Sequence, residues 1–476
     1  MADQSDALVF FGATGDLAYK KIFPALQSMV CHGSLNVPVI GVAKAGWTLE
    51  QLKERARQSL DQHGKECGAD VQEEPFAKLM SLLRYVDGDY RDPNTFAQLR
   101  KELGPATHPL HYLAIPPSMF ATVARGLAGA GCVEGSRIVV EKPFGRDLKS
   151  ARDLDATLDE FFPENAIFRI DHFLGKEPVQ NLLYCRFANI MFEPFWNRNF
   201  ISHMQITMAE SFDVQGRGKF YEEAGAIRDV LQNHLLQLVA LLGMDPPVSP
   251  TGEALRDERA RLLKMIRTLT PEDVVRGQYR GYRQEKDVPK DSQVETFAAV
   301  RLWIDSWRWA GVPIYIRTGK CLPVTCTELI VQLRRPPQDI FHEFDHGSPN
   351  YLRFRLSPEV LVAMGIRSKT AGEYMVGHDV ELVAQHMARD EMEPYERLLR
   401  EAMRGESTYF AREDGVEEAW RIVNPILGNA TPLYQYDKAS WGPAEAHALI
   451  ERNGGWHNPQ QGALADPEPQ TADYRL

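Results

Sequence analysis

Ala7-Leu8-Val9-Phe10-Phe11-Gly12-Ala13-Thr14-Gly15-Asp16-Leu17-Ala18 is the stretch whose reading decides the fold. Five apolar residues in a row suit a strand buried on both faces. Gly12 and Gly15 end the run, and Leu17, Ile22, Leu26 and Met29 then recur at helical spacing. A buried strand, a glycine turn and a helix open a dinucleotide-binding unit. The spacing is G-x-x-G-x-x-A. Glycines let the backbone approach a pyrophosphate, and the helix start offers unpaired N–H groups. Gly12, Ala13, Thr14, Gly15, Asp16 and Leu17 are therefore the candidate cofactor cradle. The small Ala18 lets helix and strand pack closely.

Working outward, Val37–Ala43 reads as a second strand. An NAD enzyme would carry an acid at its end to bind the ribose hydroxyls; here Lys44 stands instead, which suits a 2′-phosphate. That favours NADP and leaves NAD open, with Thr14 able to add a hydroxyl. Leu49–Leu60 has a helical face, and 64–74 is polar and reads as a loop. Leu82–Val86, His111–Ile115 and Arg137–Val140 are further strands, with Phe120–Ala130 a helix. The alternation predicts a mostly parallel, doubly wound α/β sheet over residues 1–172. Glu141-Lys142-Pro143 follows the Arg137–Val140 strand, at the carboxyl edge where such sheets bind ligands. Pro143 suits a cis or switchable peptide bond.

The chain has 476 residues, more than one core usually serves, so two domains are expected. Hydrophobic residues make up 44% and the net charge is −11, which argues against nucleic acid or an anionic membrane as partner. An anionic substrate would need a locally basic pocket. Six scattered cysteines complete no zinc pattern, so no metal is expected, and free thiols point to a reducing cytoplasm. The polar start does not read as a signal peptide, and no apolar run reaches membrane-spanning length.

Arg169-Ile170-Asp171-His172-Phe173-Leu174-Gly175-Lys176-Glu177 gathers an acid, an imidazole and an ammonium. His172 and Lys176 suit a phosphate dianion. Asp171 suits either the orienting of a distant imidazole or the capping of a helix start. The domain boundary is placed here, so that residues 173–476 form the second domain and this stretch lies at the seam. Glu210 ends the Phe200–Ala209 strand, as an acceptor for sugar hydroxyls or as an edge acid. Gly216-Arg217-Gly218 reads as a turn, and Gly225–Leu242 as one long helix. On an α-helix Asp229 and His234, five apart, would stand about 140° from each other and flank one side. His234 suits a core position or a general base. Trp303, Trp307 and Trp309 read as core or interface aromatics. Several strands between Phe297 and Leu356 predict a mainly antiparallel sheet in an α+β domain. Asn453–Leu476 reads as a loose tail.

The stretch from Arg169 to Glu177 resembles the substrate signature of the glucose-6-phosphate dehydrogenase family, R-I-D-H-Y-L-G-K-E, with Phe173 in place of Tyr. Gly12–Pro24 is similar to that family's G-A-S-G-D-L-x-x-x-K-x-x-P. Arg228-Asp229-Val230-Leu231-Gln232-Asn233-His234 is similar to its second signature, and Arg317-Thr318-Gly319-Lys320 to its I-R-x-G-K. The likeness spans roughly Leu8 to Gly442. It implies oxidation of glucose 6-phosphate at C1 to the 6-phosphogluconolactone with NADP+, at the entry to the pentose phosphate pathway. His234 would take the hydroxyl proton, oriented by Asp171. His172 and Lys176 would hold the phosphate, and Glu210, Asp229 and Lys320 the hydroxyls. Lys142 and Lys21 would lie toward the nicotinamide and substrate, and Asp89 and Tyr90 on the adenosine side. Lys44 fills a place where the family usually has Arg. A homodimer or homotetramer pairing through the second domain's sheet is implied. Two departures, Phe173 and the absence of a basic residue at Val324 and Thr325, keep open a Glu-Lys-Pro-type dehydrogenase of another sugar. A catalytically silent NADP sensor is the remaining alternative.

Overall fold

The computed structural model describes residues 4–67, 71–338, 340–341, 347–386 and 392–462. The chain divides into two units. The first takes Met1–Leu183, Leu236–Lys264 and Asp390–Asn424; the second takes Tyr184–Leu235, Met265–Arg389 and Pro425–Leu476. The single cut expected after residue 172 is thus replaced by a boundary at Leu183 and by two later segments that return to the first unit.

The first unit holds six parallel strands: β1 (Ala7–Phe11), β2 (Val39–Ala43), β3 (Leu83–Asp87), β4 (Pro109–Leu113), β5 (Arg137–Glu141) and β6 (Ile167–Ile170). They stand in the order β3-β2-β1-β4-β5-β6, with β1 pairing in parallel with both β2 and β4. That is the doubly wound order, and it puts the ligand crevice at the carboxyl ends of β1 and β4, where the order reverses. Every residue of β1, β2 and β4 is buried, as continuous apolar strands covered on both faces should be. The core joins Leu8, Phe10, Ala18 and Phe23 to Leu398, Leu399, Ala402 and Met403, so the helix Pro394–Arg404 completes this unit from far along the chain. The polar stretch expected as a loop is helical at both ends, because Leu49–Cys67 runs past Leu60 and Glu73–Leu82 forms a second helix; residues 68–70 lie outside the described residues.

The second unit is built on β7 (Ile201–Ala209), β8 (Val274–Tyr279), β9 (Phe297–Leu302), β10 (Ile314–Gly319), β11 (Cys326–Leu333), β12 (Tyr351–Ser357), β13 (Val360–Lys369) and β14 (Gly377–His386). Two late strands, β15 (Phe410–Ala411) and β16 (Leu433–Tyr436), close the edges: β15 runs antiparallel to β6 in the first sheet, and β16 parallel to β8 in the second. The second sheet has the order β14-β13-β12-β11-β7-β10-β9-β8-β16 and is mainly antiparallel, as expected. Its β7–β10 pair is parallel, so both strands end on the same side. Phe297, Tyr221, Tyr279, Tyr282 and Tyr436 form a buried aromatic cluster beside it. Trp309 is buried, but Trp307 is 98% exposed and belongs to no core. The tail residues beyond 462 lie outside the described residues.

Candidate functional site

The first unit sets its predicted cofactor residues along one sheet edge. Gly12 leaves β1 with φ +82°, and a β-carbon there would lie 2.3 Å from the Ala114 carbonyl oxygen at the end of β4. Only glycine fits that approach. The Gly12 N–H donates to Val42 O at 2.9 Å and to the Tyr90 hydroxyl at 2.9 Å, and Tyr90 donates to Val42 O at 3.1 Å. Tyr90 therefore braces the turn. Ala13 is buried, while Thr14, Gly15, Asp16 and Leu17 line the open side at half-buried or exposed positions. The helix begins as a π-helical turn, Ala18–Ile22, with Lys21 exposed, and continues as Phe23–Cys31. Lys44, after β2, bonds Asp89, after β3, at 2.8 Å.

The carboxyl ends of β5 and β6 carry the next group. Glu141 pairs with Ile170 in register, so Lys142 and Asp171 leave neighbouring strands side by side. The Lys142–Pro143 bond is cis. Asp171 is buried, and its Oδ1 accepts the Phe173 N–H at 3.1 Å within a turn; the helix that follows starts only at Glu177, so this bond does not cap a helix start. His172 stacks on Tyr395, with ring centroids 6.4 Å apart and planes 11° apart. The Lys176 ammonium sits 5.5 Å over the Phe173 ring. Phe173 thus keeps a cation–π contact to the lysine while lacking a hydroxyl. Arg169 is structural: it is buried, bonds Asp155 Oδ1 at 2.7 and 3.0 Å, and bonds Glu164 at 2.7 Å, fixing the strand that delivers Asp171. Beyond it, Asp159, Glu164 and Glu413 bring carboxylate oxygens within 4.8 Å of one another. Burial, with the charges of Asp159 and Asp155, pushes the Glu413 carboxyl up to about 7.

The second unit gathers Glu210, Asp229 and Lys320. Glu210 follows β7 and Lys320 follows β10, and Ala209 and Gly319 pair in register at the ends of these parallel strands. The Lys320 ammonium forms an ion pair with Glu210 and lies 4.9 Å over the Phe212 ring and 5.4 Å over the Tyr221 ring. Burial raises the Tyr221 hydroxyl far above its usual range, with the Asp229 and Glu210 charges adding to it. Residues Ile227–Leu235 form a π-helix, and Leu236–Gly243 continues it as an α-helix. The expectation of one uniform α-helix from Gly225 is corrected. A helix already runs from Gly218, Gly225 breaks it at φ 64° and ψ 175°, and the wider helix follows. With i→i+5 closure, residues five apart stand one turn apart, so Asp229 and His234 share a side and are not separated by about 140°. His234 is 8% exposed, and its N–H donates to Asn233 Oδ1 at 2.6 Å.

Sequence reasoning missed the groups that hold this helix. Buried Glu295 accepts the Ile227 N–H at 3.2 Å, and Glu295 also pairs with buried Arg276 at 3.5 Å. A β-carbon on Gly225 would lie 2.5 Å from Glu295 Oε1. Gly225 just before the signature was the one readable sign of that approach. Thr325 accepts the Ser211 N–H at 2.9 Å, so it braces the segment after β7.

A dinucleotide-binding sheet with an acid, an imidazole and lysines at its carboxyl edge, joined in one chain to an α+β unit rich in polar side chains, defines a nicotinamide-linked dehydrogenase of two domains. The comparisons make the class specific. The NAD-binding domain of glucose-6-phosphate dehydrogenase matches residues 9–181, and the C-terminal domain of the same family matches residues 183–457. The chain is 42% identical to glucose-6-phosphate 1-dehydrogenase 1 of Mycobacterium tuberculosis, over 96% of this chain and 97% of that one. It is 38% identical to glucose-6-phosphate 1-dehydrogenase of Aggregatibacter actinomycetemcomitans, over 96% and 98%. The crystal structure of the Mycobacterium avium enzyme superposes with a TM-score of 0.90 at 43% identity, covering 96% and 99%. A glucose-6-phosphate dehydrogenase in complex with its substrate glucose-6-phosphate superposes with a TM-score of 0.87 at 32% identity, covering 97% and 100%. The chain belongs to the glucose-6-phosphate dehydrogenase family. Among the described residues, no helix is long and apolar enough to cross a membrane.

Proposed function

We propose that this enzyme oxidises D-glucose 6-phosphate at C1 to 6-phospho-D-glucono-1,5-lactone, with NADP+ as hydride acceptor and NAD+ as a second one. The observation that carries the reading is full-length kinship, at 32% identity, to a protein described in complex with glucose-6-phosphate. The cradle at Gly12, where a side chain would be excluded, fits a dinucleotide backbone. When bound, the cofactor supplies the hydride acceptor, and the protein supplies position and charge.

His172 and Lys176 hold the phosphate. Glu210, Asp229 and Lys320 hold the hydroxyls, the lysine giving up part of its bond to Glu210 as it donates to sugar oxygen. His234 takes the C1 hydroxyl proton, and Asp171 orients its ring. Lys142 and Lys21 position the reacting end. Gly12, Ala13, Thr14, Gly15, Asp16 and Leu17 cradle the pyrophosphate, with Lys44 and Asp89 at the ribose and Tyr90 beneath. An imidazole is the side chain whose protonation equilibrium lies nearest neutral pH, which suits it to general-base work. The five cysteines whose side chains are described are unpaired, which supports a reducing cytoplasm. Exposed Ile340, Phe341, Met375, Val376 and Leu382 on the second unit support a homodimer or homotetramer, for which light scattering is the test. The test of the reaction is turnover of C1-deuterated glucose 6-phosphate. Deuterium is expected in the reduced nicotinamide, and its retention in the sugar product would refute C1 oxidation.

A further inference from the structure

Lys44 and Asp89 leave adjacent parallel strands, β2 and β3, whose Ala43 and Asp87 pair in register. In a doubly wound sheet this edge receives the adenosine ribose. A carboxylate there accepts from ribose hydroxyls, and a cation there takes a 2′-phosphate. This chain places both, bonded to each other at 2.8 Å. Asp89 is held in place by further bonds, while the Lys44 side chain is 71% exposed. The Asp89 Oδ1 accepts the Arg91 N–H at 2.9 Å, and its backbone carbonyl accepts the Thr95 hydroxyl at 2.8 Å. On the other side, Asp87 Oδ1 accepts the Ala45 and Gly46 N–H groups at 3.0 and 2.8 Å and the Tyr85 hydroxyl at 2.8 Å, which fixes the turn after Lys44. The Lys44 bond and the Arg91 amide hold the Asp89 carboxyl below its usual range, so it is charged at neutral pH.

We propose that Asp89 is the specificity-determining residue of the cofactor site, accepting from the ribose 2′-hydroxyl of NAD+ and competing with the 2′-phosphate of NADP+ for Lys44. A dianionic phosphate must displace a carboxylate from its cation and then sit beside that carboxylate. A 2′-hydroxyl meets neither cost. The pair thereby moderates the preference for NADP+ that Lys44 alone would set, and Lys, a point charge without the bidentate reach of Arg, is easily shared in this way. The inference rests on the reading of this edge as a nicotinamide dinucleotide site.

The test uses the full chain and two fragments that read only the adenosine end, adenosine 2′,5′-bisphosphate and 5′-AMP, titrated calorimetrically without sugar. Asp89→Asn is expected to raise the affinity ratio of bisphosphate to monophosphate about tenfold, and Lys44→Met to lower it about tenfold, each equivalent to ~1.4 kcal/mol. A ratio in Asp89→Asn within about twofold of the wild type would overturn the proposal, since that is under half a kcal/mol. Failure of both fragments to bind the wild type would instead overturn the dinucleotide reading beneath it. Equal unfolding temperatures of the three proteins show that the ratio reports recognition.

Discussion

Gly12→Ala is the perturbation whose size the structure sets most directly. The residue sits at φ +82°, in the left-handed region, where an L side chain costs ~1–2 kcal/mol. The new β-carbon would lie 2.3 Å from the Ala114 carbonyl oxygen, a backbone atom that cannot swing away. Ordinary C···O contacts begin near 3.3 Å, so turn and strand must separate by about 1 Å. Strain of that kind adds ~1–3 kcal/mol, for a total of roughly 2–5 kcal/mol. The same shift breaks the alignment of the Gly12 N–H with Val42 O and Tyr90 and moves the turn proposed to hold the pyrophosphate. Thermal unfolding of this unit should fall by about 5–10 °C and the KM for the nicotinamide cofactor should rise at least about tenfold. Gly15→Ala is the internal comparison. Its φ is not in the left-handed region and its nearest neighbour would be Gly12 O at 3.2 Å, so its loss of stability should stay under about 1 kcal/mol. Gly12→Ala with wild-type unfolding and KM, or Gly15→Ala equally unstable, would refute the reasoning.

Four further outcomes are expected. His234→Asn should lower kcat about 10²–10⁴-fold with substrate KM nearly kept, read by steady-state kinetics, because only proton transfer is removed. Gly225→Ala should destabilise the second unit by ~2–3 kcal/mol, as its β-carbon meets Glu295 at 2.5 Å and its φ is 64°; chemical denaturation checks it, and an unchanged midpoint contradicts it. Phe173→Tyr should lower the KM for glucose 6-phosphate roughly 10- to 100-fold, since a bond to a charged group is worth ~1.5–3 kcal/mol; an unchanged or raised KM would show that the hydroxyl does not reach the phosphate. The fourth concerns acid. Burial alone would raise Glu328, but the His457 bond at 2.9 Å and the Arg355 charge outweigh it and hold the carboxyl near 2. Unfolded, it titrates near 4.5, so its stabilisation is full above that pH and is lost as pH falls toward 2. Glu328→Gln should cost ~3–5 kcal/mol at neutral pH and flatten the acid limb of the stability curve.

Much of this architecture is legible in the chain because local patterns carry it. The apolar runs of β1, β2 and β4, punctuated by glycine and followed by helical spacing, determine a doubly wound sheet, and its rules place Gly12, Lys44 and Lys142 at one edge. Chain returns are not legible in this way. Nothing periodic in Leu236–Lys264 or Pro394–Arg404 says that these segments complete the first core; only packing of Leu398 and Met403 against residues far earlier in sequence decides it. The antiparallel strands β13 and β14 went unread because their alternation is diluted by polar residues on an open face. The π-helix at Asp229–His234 is equally hidden, since its cause is tertiary: Gly225 at positive φ and Glu295 on the Ile227 amide. Asp89 and Tyr90 resemble cofactor contacts in sequence; what the sequence does not show is that Asp89 pairs with Lys44 and that Tyr90 braces the glycine turn.

The decisive assay is the initial rate of nicotinamide reduction with glucose 6-phosphate, set beside free glucose, with NADP+ and NAD+ in parallel. Rapid NADP+ reduction with the phosphate ester is expected, with slower but measurable NAD+ reduction and little turnover of free glucose. Free glucose oxidised faster than its 6-phosphate would contradict the assignment of His172 and Lys176 to the phosphate. No reduction of either cofactor with either sugar would contradict the account as a whole.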